Sequence, residues 1–167
     1  MARVDGYEIR AVRGERDDEL AERLVAFWTG HGALDEPGAR ARLGSVVCVL
    51  TDGGGEISGV NSAIEDEVAL IGNRRFWVYR SFLLPEVGPD VAEAMIDAAR
   101  AALEDGFDPA AGGPVGLYAA IADRALMRAR PEAIWPGSQM LYAGYTSEGH
   151  QVRIRYFEGA VIGPGMS

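Results

Sequence analysis

Lysine is absent from this 167-residue chain: all 16 of its basic residues are arginine. That absence removes Schiff-base chemistry on a lysine, a lysine general base and the lysine of a phosphate-binding P-loop. Cysteine is nearly absent too. Cys48 is the only one, which excludes an internal disulfide and a thiolate metal cluster. It stands inside Val46-Val47-Cys48-Val49-Leu50, where a buried structural thiol is expected. With His31 and His150 the only histidines, a multi-histidine metal centre is not expected and no metal is assigned. Basic charge is scarce: 25 acidic residues against 16 basic ones give a net charge of −9, opposite in sign to a nucleic-acid-binding face. No run approaches the roughly 18–20 uninterrupted apolar residues of a membrane span. Residues 1–5 carry no signal-peptide hydrophobic stretch. The expectation is a cytoplasmic protein with neither a nucleic-acid nor a membrane partner.

Apolar residues make up 48% of the chain, enough for the core of a single domain spanning 1–167. The stretch 75–103 organises it. Residues 75–84, Arg-Phe-Trp-Val-Tyr-Arg-Ser-Phe-Leu-Leu, are rich in the aromatic and branched types that suit a pleated surface. Side-chain alternation puts Trp77, Tyr79 and Leu83 on one face, and Phe76, Val78, Phe82 and Leu84 on the other. Both faces are largely apolar, so a central, covered strand is expected. Arg80 falls among Phe76, Val78 and Phe82, where a guanidinium needs an internal counter-charge or a bound acidic group. After the break at Leu84-Pro85-Glu86-Val87-Gly88-Pro89, Pro89 and Asp90 signal a helix start. Val91, Ala92, Met95, Ile96, Ala99, Ala102 and Leu103 then recur at helical spacing, and Gly106 closes the segment.

Elsewhere the chain alternates short elements. Residues 7–12 read as a strand. Asp17 or Asp18 caps a helix running to about residue 29 or 31, and Asp35-Glu36-Pro37 starts a short helix over 39–43. A strand at 45–51, a hairpin turn at 52–55 and a returning strand at 56–64 follow. Glu65-Asp66-Glu67 reads as a solvated acidic loop, and 68–71 as a strand extension or an irregular crossover. A strand at 115–121 precedes a helix capped by Asp123. A short helix is expected over 138–142, and a late or edge strand over 151–157; the tail from Gly163 is expected to fray. Hairpin-joined strands in the first half and helix-separated strands in the second imply an α/β (α+β) fold, a mixed sheet with helices on both faces.

This order, over residues 7–160, resembles the GCN5-related N-acetyltransferase (GNAT) superfamily. The most specific part is Arg80-Ser81-Phe82-Leu83-Leu84-Pro85-Glu86 with the helix at 92–103, which looks like the family's fourth strand and cofactor-binding third helix. Leu141-Tyr142-Ala143-Gly144-Tyr145 is similar to its closing segment. The resemblance implies transfer of an acyl group from acetyl-CoA or another acyl thioester to an amine on a small molecule or peptide, with a homodimer as a possible assembly. It implies that Phe82, Leu83 and Leu84 hold the pantetheine arm. The family's Arg/Gln-x-x-Gly-x-Gly/Ala loop, which cradles the pyrophosphate, corresponds to Val87-Gly88-Pro89-Asp90-Val91-Ala92. Gly88 and Ala92 match its small positions. The arginine is missing, Pro89 removes an amide donor, and Asp90 puts negative charge where phosphate would lie. The family's acid, a tyrosine four residues before the Gly of Gly-Phe, corresponds to Met140, leaving Tyr142 or Tyr118 as donors. For the base the candidates are Glu65, Asp66 and His31. The departures leave a second reading beside the enzyme: a non-catalytic GNAT-like domain that binds a ligand or a partner chain.

Overall fold

Segments bounded by glycine, proline and aspartate become eight strands and four α-helices in the computed structural model, which describes residues 2–15 and 17–161. The order is β1 (Ala2–Val4), β2 (Tyr7–Ala11), α1 (Asp18–Gly30), α2 (Glu36–Arg42), β3 (Val46–Thr51), β4 (Ile57–Val68), β5 (Arg74–Leu83), α3 (Pro89–Glu104), β6 (Gly116–Ile121), α4 (Arg124–Ala129), β7 (Leu141–Tyr145) and β8 (Gln151–Tyr156). One eight-stranded sheet runs β1-β2-β3-β4-β5-β6-β8-β7. It is mixed: β5 and β6 are parallel, whereas β1/β2, β2/β3, β3/β4, β6/β8 and β7/β8 are antiparallel. The expected fold class is therefore the observed one. The expected frayed tail lies outside the described residues.

Packing divides the chain into two compact units. The first comprises the described residues up to Ala63 together with Arg80–Ala102, and the second comprises Ile64–Tyr79 with the described residues from Leu103 onward.

In the first unit, helix starts follow local chemistry. The Asp17 carboxylate accepts the Leu20 N–H at 3.0 Å, and that of Asp35 accepts the Gly38 N–H at 2.8 Å. Helix α1 buries Leu20, Leu24, Val25, Phe27 and Trp28 in a cluster that also holds Val46, Val49 and Val60 of β3 and β4. The β3–β4 turn is held by the Asp52 carboxylate, which accepts from Gly54 and Glu56, while Gly55 takes the positive φ (82°) the turn demands. Asn61, only 1% exposed, accepts the Cys48 N–H at 2.7 Å beside a register shift in β3 and donates to the Met95 carbonyl of α3 at 3.0 Å.

In the second unit, β8 is the late strand expected over 151–157, but it lies between β6 and β7, so the edge alternative does not hold. Arg153 is 1% exposed. It donates through Nε to Gln151 and through Nη1 to the Glu132 and Ala133 carbonyls at 2.8 and 3.0 Å, with its guanidinium 4.7 Å from the Trp135 ring centre. This buried cation draws residues 130–142 around itself.

Four further expectations are corrected. Residues 141–145 form strand β7, not the end of a helix, because their backbone pairs with β8. The acidic triplet at 65–67 belongs to β4 and is not a loop, although its side chains are exposed as expected. Beyond it a 3-10 turn covers Ala69–Ile71, in keeping with the irregular crossover that was one of the two alternatives there. Only the first half of β5 is well covered: Phe76 and Tyr79 are buried, whereas Arg80 and Ser81 are exposed. Arg80 thus meets solvent and needs no internal counter-charge.

Candidate functional site

The end of β5 and the start of α3 lie together in the first unit and contain all five residues expected to bind the acyl donor. Strand β4 supports this end. The Leu84 N–H donates to the Ser58 carbonyl at 2.9 Å. Because backbone groups of an extended chain alternate between its two edges, the Leu83 N–H and C=O turn away from β4. The ladder from β5 to β6 pairs Trp77 with Leu117, Val78 with Tyr118 and Tyr79 with Ala119, and β5 continues to Leu83. Gly59 makes the close approach possible: a Cβ there would collide with the Leu83 side chain and stand 3.4 Å from the Phe82 carbonyl oxygen. Phe82, Leu83 and Leu84 are all half-buried.

The chain then turns tightly, with the Val87 N–H donating to the Leu84 carbonyl at 3.0 Å. Gly88 leads into α3 with open space where its Cβ would be. Ala92 is buried, and its N–H is spent on the Gly88 carbonyl at 3.0 Å. Pro89, the first residue of the helix, has no N–H, and Asp90 places an exposed carboxylate in the first turn. Helix N-termini attract anions through free amides and the positive end of the dipole. Here Pro89 supplies no amide, and the exposed Asp90 carboxylate adds negative charge to the turn. The first turn of α3 does not fit a nucleotide pyrophosphate.

His31 joins this group from the C-terminal end of α1. Its ring packs 5.0 Å from Phe27, edge-on, and 6.2 Å from Phe82, while Phe27 and Phe82 lie 5.5 Å apart. The imidazole is exposed, so it keeps access to solvent and ligand. Arg42, at the end of α2, and Arg80 complete the electrostatics. The Arg42 guanidinium is held below its ordinary pKa, first by burial and then by the positive charge of Arg80.

Glu65 and Tyr142 lie in the other unit, on separate strands. Glu65 forms an ion pair with Arg75 at 3.6 Å, with both side chains about half exposed. Tyr142 is 45% exposed, with its ring 5.8 Å from that of Tyr145 and 5.8 Å from the Arg153 guanidinium. Met140, at the position of the family's acid, is fully buried. Tyr118 is half-buried, which pushes its phenol upward in pKa. Sequence reading missed Gly59, whose only signal was a glycine inside a strand. Among the described residues, no three or more His, Cys, Asp or Glu side chains are grouped to hold a metal ion, and no helix is long and apolar enough to cross a membrane.

No family model and no curated protein matches this chain. Solved structures do. FeeM, an N-acyl amino acid synthase from uncultured soil microbes, superposes with a TM-score of 0.50 at 15% identity, covering 92% of each chain. A GNAT-family acetyltransferase from Streptococcus pneumoniae gives 0.48 at 16% identity, over 90% of this chain and 99% of that one. One from Listeria monocytogenes gives 0.48 at 11%, over 90% and 95%. The fold is that of the GNAT acetyltransferases. At these identities the likeness extends to the fold alone.

Proposed function

We propose that the protein is an N-acyltransferase that accepts its acyl group from a pantetheine thioester and recognises the pantetheine arm, not a nucleotide. The observation that carries this reading is the contrast within one short stretch. The end of β5 keeps a backbone edge turned away from β4 at Leu83, while the first turn of α3 is unsuited to pyrophosphate. A strand edge can hold an amide-containing arm by hydrogen bonds. Both coenzyme A and an acyl carrier protein present that arm.

The chemistry is the attack of an amine lone pair on the thioester carbonyl, formation of the C–N bond, cleavage of the C–S bond, and return of a proton to the sulfur. His31 is the proposed base, because it is the one candidate packed against Phe82 and its ring is exposed. Glu65, tied to Arg75, is the alternative base. Tyr142 is the proposed acid. Much of the rate would come from holding amine and thioester together. The buried Met140 favours the second reading, a binding domain without turnover.

The test compares acyl-CoA, acyl-pantetheine and acyl carrier protein as donors over a panel of amines. Truncating coenzyme A to pantetheine should change kcat/KM less than about tenfold, since that ratio reports transition-state binding of the removed part. A loss of several hundredfold would show a working nucleotide site and sink the arm-only reading. Absence of turnover with every donor would leave the binding-domain reading in possession.

A further inference from the structure

An exposed side chain ordinarily moves among its rotamers, and ordering it carries an entropic cost. His31 is exposed, yet both its backbone and its ring are held. The backbone is held by the way α1 ends. The Ala33 N–H donates to the Trp28 carbonyl at 2.9 Å, the Gly32 N–H donates to the Thr29 carbonyl at 3.1 Å, and Gly32 takes a φ of 70°. Two such bonds around a left-handed glycine make a Schellman motif, in which His31 is the residue just before the glycine. Ala33 also packs against the hydrophobic cluster that holds Trp28, the apolar contact that accompanies this motif. The ring is held separately. Phe27 precedes His31 by four residues, the spacing that brings side chains together on one helical face. Phe27 is only 7% exposed and anchored in the same cluster, and its ring meets the imidazole edge-on at 5.0 Å. Phe82 of β5 flanks both rings, 5.5 Å from Phe27 and 6.2 Å from His31. The end of α1 accounts for Gly32, Trp28 and Ala33. It sets no requirement for an aromatic side chain at position 31.

We propose that Phe27 and Gly32 are positioning residues that hold the His31 imidazole beside Phe82, so that it meets the acceptor amine in a fixed orientation. This rests on the acyl-transfer reading with His31 as base and deepens it. A general base must lie within hydrogen-bond reach of the proton it takes, so geometry comes before acidity. Gly32 fixes the backbone that carries the imidazole, and Phe27 restricts the rotamers of the ring. The step they serve moves the amine proton to an unprotonated imidazole nitrogen. The N–H electron pair stays with the amine nitrogen, and the thiolate leaves as in the reaction above.

The experiment compares wild type, Phe27→Leu, Gly32→Ala, His31→Gln and the two double variants that combine His31→Gln with each of the others. Proton NMR of the ligand-free protein reads the imidazoles. The chain has two histidines, so a His150→Asn spectrum assigns His31. The ring currents of Phe27 and Phe82 should displace the His31 ring protons from the free-imidazole position, and Phe27→Leu should return them toward it. Gly32→Ala has open space for its methyl group and perturbs only the backbone conformation. Steady-state kinetics then use the best donor and amine of the panel above. Phe27→Leu and Gly32→Ala should each lower kcat about 10- to 100-fold and change the donor KM less than about threefold, as a misplacement of roughly 1 Å does. Each double variant should be no slower than His31→Gln alone, because a residue that acts through His31 then has nothing to position. Losses that multiply in the double variants would mark a structural role and overturn the proposal. So would wild-type kcat in both single variants, or imidazole signals unmoved by Phe27→Leu. Should Phe27→Leu fail to fold, Gly32→Ala decides through the same kinetic cycle. Full activity of His31→Gln would overturn the proposal and the base assignment and leave acyl transfer standing. Absence of turnover with every donor would refute acyl transfer, and the proposal with it, even where the imidazole signals show a held ring.

Discussion

Replacing Asn61 with alanine isolates the polar link that joins β3, β4 and α3. The wild-type amide lies between a fully buried Cys48 and the Met95 carbonyl. Alanine leaves the Cys48 N–H buried without that acceptor, a cost of about 1–3 kcal/mol. The Met95 carbonyl loses a donor but keeps its helical one, a cost nearer 0.5–1 kcal/mol. The sum, about 1.5–4 kcal/mol, is large beside a typical total stability of roughly 5–15 kcal/mol. It should lower the melting temperature by roughly 3–16 °C. Urea unfolding followed by circular dichroism measures it. Asn61→Asp sharpens the test. A carboxylate can accept the Cys48 N–H but turns its second oxygen toward another acceptor, and burial raises its folded pKa above the unfolded value of about 3.9. With the folded pKa raised, this group's contribution is present below the unfolded value and is lost as pH rises through the folded one. Relative to wild type, Asn61→Asp should be least impaired near pH 4 and most impaired at pH 7, whereas Asn61→Ala should show no such trend. A cost below about 0.5 kcal/mol for alanine, or a flat pH profile for aspartate, would refute the reasoning.

Two further outcomes are expected. Arg153→Leu removes a cation that holds the Gln151 side chain and the Glu132 and Ala133 carbonyls, and should cost about 3–5 kcal/mol, and Arg153→Lys should recover little, because a point charge cannot reproduce the planar fork. Chemical denaturation of both variants checks this, and near-wild-type stability for lysine would show that charge alone suffices. Burial pushes the Cys48 thiol up to about 12, so the folded protein should resist alkylation at pH 8 and react once unfolded. The same raised value stabilises the fold below about pH 9 and loses its effect as pH climbs toward 12. Cys48→Ala should lack that alkaline component, and an identical alkaline profile in the two proteins would contradict it.

Helix starts were legible because their causes are local. Asp17, Asp35 and Asp123 each accept backbone N–H groups within three residues, and such a pattern can be read without knowing the rest of the fold. The sheet's closing part was not legible in the same way. Leu141-Tyr142-Ala143-Gly144-Tyr145 has no clean alternation, and what makes it a strand is its pairing with β8. Arg153 alternates with apolar neighbours as an exposed edge residue would, but the loop bearing Trp135 folds over it and buries it. The opposite error occurred at Arg80. Apolar neighbours suggested burial, and only the tertiary structure shows that the covered part of β5 ends before it. Of the candidate site, the positions expected to hold the donor all come from one contiguous stretch, residues 82–92.

The strand-to-helix unit shows how recognition can move while a fold stays in place. A phosphate cradle depends on free amides and positive charge in a helix's first turn, and both can be lost through single residues such as Pro89 and Asp90 without disturbing the helix. Indeed both residues favour a helix start, so local stability and nucleotide binding pull in opposite directions there. The edge of β5 is harder to lose, because its backbone direction is fixed by pairing with β4 and by the space that Gly59 leaves. On the proposed arm-only reading, binding energy that a nucleotide would supply must come from elsewhere if positioning is to drive the reaction.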